Sequence, residues 1–154
     1  MTKYRNHLLL IFLLLYTFTG IYLSVTNGIS HDEFHEQLNW EVNLSSIKSF
    51  FTNGNINELL NYKDKYHGIG FNLLSQPIQF FINNAVSDFN EVNLYGGHLI
   101  AKHSVIFLLF SISSIFFYLL CYRASKSYNF SILSTLIYLT YPYFFGHAQI
   151  NPKD

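Results

Sequence analysis

The sequence predicts an all-α integral membrane protein with three transmembrane helices and a long outer loop containing short interfacial helices. Three observations predict it. Only 12% of the 154 residues are charged, about half the roughly 25% of a soluble domain. Half are hydrophobic, with a positive mean hydropathy of +0.20, and they gather into long apolar runs. Acidic residues are also absent from the two short basic segments, around Lys3 and Arg5 and around Arg123 and Lys126, that flank those runs. With zero net charge and a pI near 7.1, there is no basic surface to suit a nucleic acid, and none is expected as a partner. Cys121, the one cysteine, lies inside an apolar run and is read as a small packing residue.

The first run, LLLIFLLLYTFTGIYLSV (8–25), has no charge. With its flanks it reaches the roughly 30 Å of a bilayer core, so the first span is placed at about 7–25. Lys3 and Arg5 precede it. A cleaved signal peptide shares that basic start, but this run exceeds the usual ~7–15 apolar residues and no small-residue cleavage site follows it. The second run, SVIFLLFSISSIFFYLLCY (104–122), defines a span at about 101–122. The third, FSILSTLIYLTYPYFF (130–145), is short and contains Pro142, which should kink or end it. Extended by its flanks it gives a span at about 129–147, with a buried or re-entrant helix as the alternative.

Charge sets the orientation. Lys3 and Arg5 precede the first span, and Arg123 and Lys126 lie in the link at 123–128, where there is no acid. All Asp and Glu fall in the loop at 26–100, apart from Asp154. The positive-inside rule places the N-terminus and the link in the cytoplasm. The loop at 26–100 and the second outer loop, beginning at 148–154, then share the opposite face. Asp32 and Asp154 are thereby expected on one side of the membrane.

Loops longer than ~12–15 residues usually carry structure or function. IKSFF (47–51) and INELLNY (56–62) are read as short amphipathic pieces broken by the Asn-Gly turn of TNGN. FNLLSQPIQFFINNAV (71–86) is apolar enough for the membrane interface, although Pro77 disfavours one straight helix. A small independent outer domain is the competing reading of this loop.

Two stretches concentrate chemistry. SHDEFHEQ (30–37) follows the first span directly and holds His31, Asp32, Glu33, His35 and Glu36. His31 and His35, four apart, have a spacing that suits zinc. The zincin pattern, however, places Glu directly after its first His, and Asp32 stands there. The alternatives are a solvated loop start, or a catalytic site with Asp32 as general base and Glu33 beside it. PYFFGHAQINPKD (142–154) closes the third run, carrying His147, Asn151 and Asp154 towards the outer headgroup region. Its plainer reading is a polar helix cap. Lys102 and His103, at the outer end of the second span, suit contact with a lipid phosphate or simple interfacial anchoring. A carboxylate pair on one face fits sugar transfer from a lipid phosphate: one carboxylate deprotonates the acceptor hydroxyl, and the other helps to bind acceptor, ion or donor.

At these residues the chain resembles the N-terminal portion of a GT-C type glycosyltransferase. That polytopic class includes dolichyl-phosphate-mannose protein mannosyltransferases and bacterial relatives that use polyprenyl-phosphate sugars. Asp32-Glu33 after the first helix, and Pro142, Gly146, His147, Asn151, Pro152, Lys153 and Asp154 after the third, are similar to its two acidic outer-loop motifs. The resemblance implies Asp32 and Glu33 as catalytic residues. It implies Asp154, His147 and Asn151 as substrate-binding residues, which Lys102 and His103 join as candidates from their position at the outer end of the second span. The implied partners are the lipid bilayer, a polyprenyl-phosphate sugar donor and an acceptor glycan, lipid or protein, at a bacterial inner membrane. No cofactor is required by the sequence; a divalent metal is compatible with the carboxylates, and no metal ligands are assigned. Family members have more helices than three, so an incomplete GT-C fold, inactive on its own, is expected. Two alternatives stand beside this one: a non-enzymatic three-helix membrane subunit or assembly protein, and a membrane metalloprotein using His31 and His35.

Overall fold

The long apolar runs do wind into helices. The computed structural model describes residues 2–27, 33–87 and 94–150, and among them there are seven helices and no strand. In chain order these are α1 (Thr2–Thr26), α2 (Glu33–Asn53), α3 (Asn57–Asn61), α4 (Gly70–Ser87), α5 (Leu94–Ser125), α6 (Tyr128–Thr140) and α7 (Pro142–Ile150). Two of them, over His7–Thr26 and Leu99–Ser125, are long and apolar enough to cross a membrane. The chain divides into two units, Met1–Gly28 with Ile78–Asp154, and Ile29–Pro77.

In the first unit α5 is the central element, packing against α1, α6 and α7. Close approach of α1 depends on one glycine. A side chain at Gly20 would overlap the ring of Phe107, which is completely buried. Around that ring lie Tyr16 at 5.6 Å, Phe110 at 5.8 Å and Phe145 at 5.9 Å between centroids. Ser24 pairs with His103 and Gly20 with Phe107, so α1 runs antiparallel to α5. Lys3 and Arg5 therefore begin α1 at the same end where α5 finishes with Arg123.

The third apolar run, expected as one span at about 129–147, is two helices. The ring of Pro142 drives the preceding residue out of the helical region, and Tyr141 accordingly sits at φ −62°, ψ 118°. Pro142 then opens α7, where its missing N–H costs nothing. The break leaves carbonyls at the end of α6 without helical donors, and the Tyr16 hydroxyl donates to one of them, Leu139 O, at 2.6 Å. At 13 residues, α6 is about 20 Å long, short of the ~30 Å hydrocarbon layer.

The expected link at 123–128 contracts to Lys126 and Ser127. Lys126 has a left-handed φ of 55°, and its N–H reaches Tyr122 O at 2.9 Å. Ser127 caps α6 by accepting from the Phe130 N–H at 3.4 Å. A left-handed non-glycine residue costs roughly 1–2 kcal/mol. Lys126→Gly should therefore raise the stability of the purified protein by about 1 kcal/mol in detergent unfolding, and Lys126→Ala should not.

In the second unit the piece expected at 47–51 is part of a longer helix, while the one expected at 56–62 is the short α3. Residues 33–53 hold neither glycine nor proline, and Glu33 and Glu36 occupy the first turn, where the helix dipole favours acids. The result is one helix of 21 residues. The Asn-Gly turn is where it stops: Gly54, at φ 69°, donates its N–H to Phe50 O at 2.9 Å. Pro77, expected to disfavour one helix, instead lies inside α4, which continues through it. Membrane-associated helices tolerate such prolines where the freed backbone group is satisfied by other means.

Polarity in the first unit runs opposite to that of a water-soluble bundle. Ser24, Ser114 and Ser131 are buried, each no more than 2% exposed, while Leu8, Phe18, Phe116 and Leu120 are 65–69% exposed. The serine hydroxyls are internally satisfied: Ser114 Oγ donates to Ser111 O at 2.6 Å and Ser131 Oγ to Ser127 O at 2.7 Å. On α4, likewise, Ser75 and Gln79 are buried and Leu73, Leu74, Phe80 and Phe81 are exposed. Water would penalise both arrangements, whereas a hydrocarbon surrounding favours them.

Candidate functional site

At the end of the first unit away from the basic turn, three helices are cinched together by polar groups. Ser24, in the last turns of α1, directs its Oγ at His103 O, 3.3 Å away, and at Gln149 O of α7 in a shorter contact. His103 Nδ1 lies 2.8 Å from Ser24 O. Because a carbonyl can only accept, Nδ1 carries the hydrogen. Asn27 Nδ2 donates to Gln149 Oε1. Side chain and backbone of Gln149 are thus both held by the end of α1.

Lys102 and His103 are buried, at 5% and 3% exposure. Anchoring to headgroups calls for an exposed side chain; His103 instead joins α5 to α1. His147, on α7, is half-buried, with its ring tilted against that of Tyr143 at 4.3 Å between centroids. Asp32, Asn151 and Asp154 lie outside the described residues, as does His31. Of the residues singled out in the sequence, Lys102, His103 and His147 belong to the first unit, and Glu33 to the second.

Glu33 opens α2 and is 2% exposed. Glu36, Asn39, Trp40 and Ser46 are also buried and follow at helical spacing, so one face of α2 is polar and withdrawn from solvent. His35 is exposed, away from that face. Among the described residues no three His, Cys, Asp or Glu side chains come together in a way that could hold a metal. The helix is braced locally. Ser45 Oγ donates to Glu58 Oε2 of α3 at 2.6 Å, and the Tyr62 hydroxyl donates to Asn39 Oδ1 at 2.6 Å.

Desolvation, and to a lesser degree the Asp64 carboxylate, push the Tyr62 phenol above its ordinary value. The protonated phenol is the form that folding favours. Its contribution is complete below the ordinary value of about 10 and is lost as pH rises through the higher folded value. Helix content followed by circular dichroism should fall over this alkaline range in the native chain, and Tyr62→Phe should flatten that part of the profile.

Sequence reasoning missed Ser24, Asn27 and Gln149. The only signal available was a polar side chain at the far end of each apolar run, too common a feature to single them out. No family model, curated protein or solved structure matches the chain.

Proposed function

We propose that this chain forms a site of sugar transfer in a GT-C type membrane glycosyltransferase, taking the sugar from a polyprenyl-phosphate donor to an acceptor on the outer face of the membrane. Asp32 is the general base that removes the acceptor hydroxyl proton. Glu33 stands beside it, and His147, Asn151 and Asp154 assist in binding acceptor or donor phosphate. His103 and Lys102 support the same end of the bundle from within α5. Three apolar helical segments hold these groups at an inner membrane, with the N-terminus in the cytoplasm.

The observation that carries this reading is the hydrogen bonding of Gln149 to Ser24 and Asn27. It joins the end of α1 to α7 within the first unit. The outward apolar surface of the first unit supports the membrane setting, and the resemblance of the two acidic motifs supports the chemistry. General-base removal of a hydroxyl proton needs a carboxylate within hydrogen-bond reach of the acceptor.

The test is donor-dependent transfer. Native membranes containing the protein, together with the further helices that a GT-C donor pocket needs, are incubated with a polyprenyl-phosphate sugar carrying a radiolabel, and the label is followed into lipid, glycan and protein fractions. Label in one fraction that depends on the protein is the expected result. Its absence from all three fractions, with intact donor recovered, would favour the non-enzymatic membrane subunit.

A further inference from the structure

The opposite end of the bundle carries a second feature. Between α1, α5 and α6 lies a groove of about 360 Å³, lined by Leu9, Leu13, Tyr118, Ile132 and Leu136 among others. That volume is within the ~300–1,000 Å³ range of small-molecule sites. Two of its three hydroxyl residues, Ser114 and Thr135, donate to Ser111 O and Ser131 O of their own helices, at 2.6 and 2.8 Å. The groove therefore presents hydrocarbon.

Its end near Tyr118 is chemically different. Tyr118, Tyr122 and Tyr128 form a ring cluster there, with centroids 6.3 Å apart in both the Tyr118–Tyr122 and Tyr118–Tyr128 pairs. Tyrosines gather at headgroup depth in membranes. Arg123 follows Tyr118 by about 7.5 Å along the helix axis, and Lys126 forms the turn; both are exposed. Lys3 and Arg5 begin α1 at this end, and α1, α5 and α6 contain no Asp or Glu. Positive charge at the same end of the bundle as the groove, with nothing acidic on its three helices, complements an anionic head on a hydrocarbon tail. Basic pockets between membrane helices bind such lipid heads, at roughly 1 kcal/mol per basic residue.

We propose that this groove binds one acyl chain of an anionic phospholipid, with the lipid phosphate held at Arg123 and Lys126. The inference rests on the membrane reading above, but not on sugar transfer.

Electron paramagnetic resonance tests it, on the full chain in phosphatidylcholine vesicles doped with spin-labelled phosphatidylglycerol or spin-labelled phosphatidylcholine. The motionally restricted fraction should be larger for phosphatidylglycerol. Arg123→Gln and Lys126→Gln, both at exposed positions, should each lower that preference by up to about fivefold. Ser114→Trp, which fills the groove, should lower the restricted fraction of both probes. Equal restriction of the two probes in the native chain overturns the proposal, as does a preference unchanged in the doubly substituted chain. Displacement of the probe by inorganic phosphate alone would reduce the site to a free-anion site and overturn the acyl-chain part. Loss of restriction accompanied by self-association that Ser114→Trp reverses would assign the groove to a second copy, again against the proposal. Flotation of the vesicles separates two failures. A chain that does not float with them contradicts the membrane reading itself, and one that floats without headgroup preference contradicts only the lipid site.

Discussion

Asp32→Asn should lower sugar transfer by about 10²- to 10⁴-fold, the usual worth of a positioned general base, while membrane insertion stays unchanged. Asparagine keeps the size of the side chain and much of its hydrogen bonding but cannot accept the acceptor's proton. The loss should therefore appear in turnover, with donor binding little altered. Glu33→Gln provides the contrast. Glu33 is buried at the start of α2, and glutamine preserves most contacts that a positioning residue makes, so a smaller loss is expected. Native turnover in Asp32→Asn would remove Asp32 from the base role, and a greater loss in Glu33→Gln would move that role to Glu33. The measurement is initial rate against donor concentration for both variants in membranes with matched protein content.

Gly20→Leu should separate α1 from α5. Even a Cβ at this position overlaps the Phe107 ring, and that ring cannot easily withdraw. It is fully buried, with Tyr16, Phe110 and Phe145 around it. Overpacking a tight core by a few methyl-sized groups costs roughly 1–3 kcal/mol, so Gly20→Ala should fall in that range and Gly20→Leu above it. Reducing the ring should recover part of the loss: Gly20→Ala with Phe107→Leu should be more stable than the sum of the two single changes predicts. Gly146 is the control. A side chain there meets nothing within 4 Å, and replacing a helical glycine by alanine gains up to about 1 kcal/mol. Gly146→Ala should be neutral or stabilising. Thermal unfolding in one detergent, read by circular dichroism, compares the native chain with Gly20→Ala, Gly20→Leu, Phe107→Leu, the double variant and Gly146→Ala. Equal stability of Gly20→Ala and Gly146→Ala would contradict the close approach at Gly20.

Much of the helical architecture was legible because it depends on local composition. Two apolar runs free of acids gave α1 and α5, and the Asn-Gly pair marked the end of α2. Pro142 announced a kink or an end, though reading 129–147 as one span underestimated it. The ring sterics at Tyr141 divide that run into α6 and α7. The piece read at 47–51 proved to be the end of a much longer helix. In α2 the polar residues at 33–46 looked like loop, yet nothing among them breaks a helix. In α4 the weight given to Pro77 exceeded its effect.

The candidate site was less legible. Asp32-Glu33 and the stretch at 142–154 stood out through concentrated chemistry. The groups that organise the end of the bundle did not, because Ser24 and Gln149 are 125 residues apart and each is inconspicuous in its own segment. Lys102 and His103 were placed at a membrane surface by their position in the sequence. Burial among packed helices depends on tertiary neighbours, which hydropathy does not encode. Ser114 and Ser131 are hidden for a similar reason, since each lies inside an apolar run and bonds a carbonyl three or four residues back.

The reading of the two carboxylates stands on their sharing one face of the membrane. Cysteine labelling measures this most directly. Replacing Cys121, the only cysteine, with serine gives a silent background for single cysteines at Glu41, Ser125 and Lys153. A membrane-impermeant maleimide applied to intact cells should label Glu41→Cys and Lys153→Cys, and should reach Ser125→Cys only after permeabilisation. Labelling of either Glu41→Cys or Lys153→Cys only after permeabilisation would put Asp32 and Asp154 on opposite faces and contradict the account.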